Sequence, residues 1–137
     1  MGRRRPVVGS VVQFPLPGGG FAYGRVLRDA SVAFYCTRSN EPGMPPIGER
    51  EYEFVVGVYD DVLRAEDVPV VGHDPGVGPE DEWPPPYVIR DALTGRPTIY
   101  HHGTRSKANE DQVVGLEPAA VWARWHLIER LVSGSAP

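Results

Sequence analysis

The feature that most constrains the fold is a run of four turn-forming residues, Pro17-Gly18-Gly19-Gly20, between two segments that favour strands. Residues 7–16 (VVGSVVQFPL) and 21–27 (FAYGRVL) are rich in β-branched and aromatic side chains. Glycine reaches the positive φ angles of tight turns without a steric penalty. The pattern predicts a β-hairpin, with Pro15 at a strand end or edge and Gly24 at a bulge or close backbone approach.

More strands are predicted beyond this hairpin. Alternating side chains of a strand point to opposite faces, so Tyr52, Phe54, Val56 and Val58 are expected to share a buried face. Cys36 is expected to be a small buried apolar residue. The predicted strands are residues 31–37, 51–62 and 67–72, the last at an edge, and a second hairpin of 87–89 with 97–101, followed by a polar loop at 103–112.

Residues 116–132 (LEPAAVWARWHLIERLV) differ from the strands because their apolar residues recur at helical spacing. The stripe of Val121, Trp125, Ile128 and Val132 is expected to lie against the sheet. The predicted fold class is therefore α+β: a strongly bent antiparallel β-sheet or small barrel, with one C-terminal amphipathic helix packed on it.

Composition favours one folded domain, although 16 Gly and 15 Pro residues interrupt the chain. Apolar residues make up 41% and the net charge is only −4, which is unlike a disordered segment. We expect a single domain over residues 1–137, with a disordered tail at 1–6 and a β-rich body at 7–101. Without an apolar run of about 20 residues or a signal-peptide core, the chain is expected to be cytoplasmic and not bound to membranes.

Charge is unevenly distributed along the chain. Residues 41–82 contain 12 acidic and two basic residues, a net charge of −10, whereas the remainder carries +6. If this middle segment covers one face, its field attracts a cationic protein and repels nucleic-acid phosphate. The alternative is a set of solvated acidic loops.

No residue pattern points to catalysis, a cofactor or a metal. His101 and His102 are neighbours in a predicted strand, where adjacent side chains point to opposite faces, so they are poorly placed to share an ion. Cys36 lacks a recognisable base or electropositive setting. We therefore expect a non-catalytic protein without cofactors and without a metal site.

The first hairpin also carries a resemblance to a known family. Its arms read GSVVQFPL at residues 9–16 and GFAYGRVL at 20–27, and both VYD at 58–60 and PPYV at 85–88 continue the pattern. These segments resemble the immunity protein 26 family of bacterial polymorphic-toxin systems. The resemblance implies a small intracellular protein that binds a cognate toxin domain and blocks its active site or substrate channel.

The acidic segment suggests how such a partner is recognised. A nuclease needs a cationic groove for its substrate, and that groove is a natural target for a carboxylate-rich inhibitor. The alternative is a small β-barrel adaptor that recognises a basic protein or peptide segment; the oligomeric state is open. The predicted partner-binding residues are Asp60, Asp61, Glu66, Asp67, Glu80, Asp81, Glu82 and Trp83.

Overall fold

Nine strands and two α-helices lie within residues 5–133, the part of the chain that a computed structural model describes. The predicted tail at 1–6 therefore lies mostly outside the described residues. The elements are β1 (Ser10–Pro15), β2 (Phe21–Val26), β3 (Ser31–Tyr35), β4 (Tyr52–Val58), α1 (Asp60–Arg64), β5 (Val70–His73), β6 (Tyr87–Arg90), β7 (Pro97–His101), β8 (Thr104–Lys107), β9 (Val121–Trp122) and α2 (Arg124–Ser133), with 3₁₀ turns at Pro79–Glu82 and Asp111–Val113.

The strands form two open sheets. The larger has the order β5-β1-β2-β3-β4-β9 and the smaller the order β6-β7-β8. All neighbours are antiparallel except β4 and β9, which are parallel. The α+β prediction is confirmed, but the six-stranded sheet ends at β5 and β9 and does not close into the barrel that was the alternative. No helix among residues 5–133 is both long and apolar enough to cross a membrane.

The predicted first hairpin is present as β1 and β2, in which Val12 lies opposite Gly24. Pro15 is the last residue of β1, where its missing donor costs no ladder hydrogen bond. Gly24 marks a close approach, because a Cβ there would lie 2.5 Å from Cγ1 of Val32. The absence of a side chain at Gly24 therefore leaves room for the Val32 side chain of β3.

One face of the six-stranded sheet holds the main apolar core. Phe34 is its centre, with ring centroids 5.4 Å from Phe14 and 4.8 Å from Phe54. As predicted, Val56 and Val58 share the buried face of β4 with Phe54, but Tyr52 packs with Tyr35 on the opposite face because the register shifts between Phe34 and Tyr35. Helix α2 covers this face with Leu127 and Leu131, both fully buried. The remaining buried residues of this core are Val12, Ala22, Val26, Val32, Val62 and Val68.

The helix prediction over 116–132 is wrong in its first half and in part of its buried stripe. The helix begins at Arg124, since residues before it pair with strands: Ala119 N donates to Val88 O at 2.8 Å and Tyr59 N to Trp122 O at 3.1 Å. These bonds hold the segment extended. Three of the four side chains that were expected to face the sheet are exposed instead, by 55% for Val121, 63% for Trp125 and 56% for Val132, whereas Ile128 packs against the core.

Three other local predictions need correction. Strand β4 ends at Val58, and the predicted end of that strand is helix α1, whose Val62 packs into the core. Strand β3 ends at Tyr35, which leaves Cys36 exposed rather than buried. The predicted loop at 103–112 contains β8, which pairs with β7.

Candidate protein-binding surface

The second face of the six-stranded sheet combines a small cluster of Val11, Tyr23 and Tyr35 with buried polar side chains. Alternation along β2 places Ala22 and Gly24 towards the apolar core and Tyr23 and Arg25 on the opposite face. Arg25 is only 2% exposed. Its Nε donates to the carbonyl of Asp74 and its NH1 to the carbonyl of Asp81, both at 2.6 Å. Arg25 therefore fixes the backbone of the long loop after β5.

Asp74 is the second anchor of this face. Its carboxylate accepts two hydrogen bonds from Arg50 at 2.9 Å, one from the Tyr35 hydroxyl at 2.7 Å and one from Gly48 N at 2.9 Å. Burial alone would raise the pKa of Asp74, but the bonds from Arg50 and Tyr35 outweigh it and hold that pKa well below its ordinary value. Asp74 is thus a buried carboxylate that ties the loop at 41–50 to the sheet.

Tyr23 and Gln13 hold the first part of that same loop. Gly43 N donates to Oε1 of Gln13 at 2.6 Å, and Met44 N donates to the Tyr23 hydroxyl at 3.2 Å. The Tyr23 hydroxyl also lies 2.6 Å from Oγ of Ser39. The loop at residues 41–50 and the loop after β5, both rich in Pro, Gly and acidic residues, are therefore held against the sheet by polar residues of β1, β2 and β3.

The acidic 3₁₀ turn Pro79–Glu82 lies within the loop that Arg25 holds. Glu82 accepts from Nε of Arg28 at 2.7 Å, while the carboxylate of Asp81 accepts from Val77 N at 2.7 Å. The side chain of Glu80 is 77% exposed and lies 3.4 Å from Nε2 of His102. Of the three carboxylates, Glu80 is consequently the one most open to a partner.

Trp83, the predicted aromatic anchor, is half-buried against its own chain. Its ring stacks on His102 with centroids 4.2 Å apart, and the Arg28 guanidinium lies 5.7 Å from its centroid. These contacts occupy much of the indole that a partner would otherwise cover.

The other predicted acidic residues lie on and after α1. Asp60 pairs with Arg64 across one helical turn at 3.0 Å, and both oxygens of Asp67 accept from Arg124. Asp61 and Glu66 are exposed and form no ion pair within residues 5–133. Their charges are therefore not neutralised by a neighbouring side chain.

Topology brings the two acidic segments to one end of the six-stranded sheet. Strands β2, β4 and β5 all end there, because each runs antiparallel to its neighbours β1 and β3. Helix α1 follows β4, and Glu82 is bonded to Arg28, which follows β2. Helix α1 packs on the apolar core through Val62, whereas the turn Pro79–Glu82 is bonded to Arg25 on the polar face. The two segments therefore border this end of the sheet from opposite faces.

Trp125, which the sequence analysis placed against the sheet, lies at the surface instead. With Asp61, Ile128 and Val132 it lines a groove of about 710 Å³ between α1 and α2, which extends to Pro17 of the first hairpin turn. Trp125 is 63% exposed. The signal in the sequence was the pair Leu127 and Leu131, one turn apart, because a helix that buries both turns Trp125 outwards.

Comparisons with known proteins bear on the role of this surface. No curated protein and no solved structure matches the chain significantly. The model of the family described as immunity protein 26 matches residues 7–98, which include both anchored loops and both acidic segments. Such families have a toxin-neutralising role and imply a cognate toxin as partner. The match covers more than half of the chain, which therefore belongs to the immunity protein 26 family.

Proposed function

We propose that this immunity protein is a non-catalytic inhibitor that binds a basic toxin domain, such as a nuclease, through the acidic end of its six-stranded sheet. The observation that supports the proposal is that α1 and the turn Pro79–Glu82 both border that end, with Asp61 and Glu66 unpaired within the described part of the chain. The full proposed contact set is Asp60, Asp61, Glu66, Asp67, Glu80, Asp81, Glu82 and Trp83.

The contact residues are expected to differ in what they contribute. Asp61, Glu66 and Glu80 expose their charge and are suited to steering a cationic partner. Asp67 and Glu82 already neutralise Arg124 and Arg28, so they contribute less net field. Trp125 adds an exposed indole beside Asp61, and a large aromatic side chain surrounded by polar groups is typical of a binding hot spot.

The decisive experiment combines protection with affinity. Cells that express the toxin encoded beside this protein should survive only when the immunity protein is co-expressed. The variant Asp61→Lys/Glu66→Lys should weaken binding to the purified toxin roughly tenfold or more, because it places like charges against a basic surface. It should also flatten the dependence of affinity on salt.

Glu51→Lys is the matched control. Glu51 is an exposed acidic residue immediately before β4, at the opposite end of the same strand from α1. Its reversal changes the net charge by as much as either single substitution of the double variant does, but should leave affinity within about twofold, since it lies away from the proposed surface. Equal losses in Glu51→Lys and Asp61→Lys/Glu66→Lys would show a diffuse charge effect and reject the proposed surface. An absence of protection by the unmodified protein would reject that toxin as the partner.

A further inference from the structure

The turn between β7 and β8 brings two histidines together. His101 pairs with Thr104, so His102 and Gly103 form a two-residue turn. Both have positive φ, 53° and 76°, as a type I′ turn requires. The expectation that His101 and His102 point to opposite faces is wrong, because His102 has left the strand: the ring centroids lie only 4.1 Å apart.

Glu80 completes a group of three candidate ligands. Each of Glu80, His101 and His102 offers one donor atom, and these atoms all lie within 4.8 Å of one another. Nε2 of His102 lies 3.4 Å from Oε2 of Glu80. That nitrogen is buried but has no aligned hydrogen-bond partner in the described part of the chain. A buried imidazole nitrogen without such a bond is a polar group that still requires a partner.

We propose that Glu80, His101 and His102 bind one Zn²⁺ ion and leave a fourth position for water. Two imidazoles and one carboxylate suit zinc, whereas Ca²⁺ and Mg²⁺ prefer sets of oxygen ligands. Zinc bonds of about 2.0–2.2 Å place tetrahedral ligand atoms about 3.4 Å apart. The separation of His102 from Glu80 already meets this spacing, and the exposed side chain of Glu80 is free to adjust.

The surroundings favour a site rather than a chance encounter of side chains. Trp83 stacks on the His102 ring and limits its orientation. Glu80 belongs to the 3₁₀ turn of the acidic loop, while both histidines belong to the hairpin of β7 and β8. A bound ion therefore joins the acidic loop to this hairpin. It also neutralises the Glu80 carboxylate, which leaves Asp61 and Glu66 as the unpaired charges of the proposed surface. The inference does not depend on the identity of the toxin.

Calorimetric titration of ZnCl₂ into the full chain, after treatment with a chelator, tests the proposal. We expect one ion per chain at neutral pH, weaker binding at acidic pH because the imidazoles must be neutral, and no binding of Mg²⁺ at the same concentration. Glu80→Gln and His101→Ala should each weaken zinc binding roughly tenfold or more.

Two further variants separate coordination from folding. His102→Asn keeps a residue that tolerates positive φ and should still lose zinc affinity. His126→Ala removes an exposed histidine on α2 and should bind zinc as the unmodified protein does. If the protein does not bind one Zn²⁺ ion per chain, the proposal is overturned, and His102 and Glu80 are merely in contact with each other. Equal loss in His126→Ala, or full affinity in Glu80→Gln and His102→Asn, would overturn it as well.

Discussion

The two faces of the six-stranded sheet are closed by different physical means. On one face, phenylalanine and valine side chains pack beneath Leu127 and Leu131 of α2. On the other, Arg25 and Asp74 are almost completely buried and bind loop backbone or charged side chains. Apolar burial is non-directional, whereas a hydrogen bond requires a particular distance and angle. The apolar face therefore supplies most of the folding free energy, and the polar face determines where the loops lie.

This difference bears on how an inhibitor of this kind presents its surface. Both loops on the polar face are rich in Gly and Pro and form no helix longer than one 3₁₀ turn. Without Arg25 and Asp74 they would have few fixed points. A loop held in its binding conformation loses less entropy on association. The buried polar residues are thus expected to contribute to binding through the loops they fix.

The largest change in the free energy of unfolding is expected from a substitution in the apolar core. Phe34→Ala removes the ring between Phe14 and Phe54 and should lower the free energy of unfolding by about 3–5 kcal/mol. Urea denaturation followed by tryptophan fluorescence measures this. Val77→Ala, at a side chain that is 92% exposed, is the control and should change stability by about 0.5 kcal/mol or less. Similar losses in the two variants would contradict the assignment of the core.

A smaller but more local effect is expected on the polar face. Asp74→Asn leaves Arg50 and Tyr35 without their carboxylate and should cost about 2 kcal/mol, less than a fully buried ion pair because Arg50 is partly exposed. Hydrogen exchange should accelerate first at residues 41–50 and 74–83, while the strands stay protected. Uniform acceleration over the whole sheet would show that the polar anchor supports the core as much as the loops.

The smallest effect is the acid dependence of the same anchor. The pKa of Asp74 is lowered in the folded state, so its contribution is complete above the pKa of the unfolded chain, about 4, and is lost as the pH falls below it. Stability of the unmodified protein should therefore fall more steeply than that of Asp74→Asn between pH 4 and more acidic values. Stability is measured by urea denaturation at each pH. If it falls equally in the two proteins, another carboxylate determines the acid dependence.

Local sequence predicted the elements that depend on local chemistry. The Pro-Gly-Gly-Gly turn, the shared face of Phe54, Val56 and Val58 in β4 and the edge position of β5 are present as expected. Residues 116–123 were predicted as helix because the apolar residues of 116–132 recur at helical spacing. In the structure they gain inter-strand hydrogen bonds to Val88 and Tyr59 instead. Such bonds come from distant residues, which helical periodicity does not register.

The candidate surface shows the same division. Sequence alone indicated where acidic residues cluster, but not which of them are neutralised: Asp67 meets Arg124 and Glu82 meets Arg28 across more than 50 residues each. The exposure of Trp125 depends on which side of α2 is buried. His101 and His102 converge because a two-residue turn, rather than a longer strand, follows β7.

The sequence by itself determined that the chain builds an α+β fold from a hairpin, and it carried the family pattern in residues 20–27. The arrangement of β2 gives that pattern a physical reason: Ala22 and Gly24 leave room for the phenylalanine core, while Tyr23 and Arg25 hold the loops. Tertiary structure alone decided which carboxylates stay unpaired, which indole stays exposed and which histidines meet. Those properties depend on partners far away in the chain, which only the folded sheet brings together.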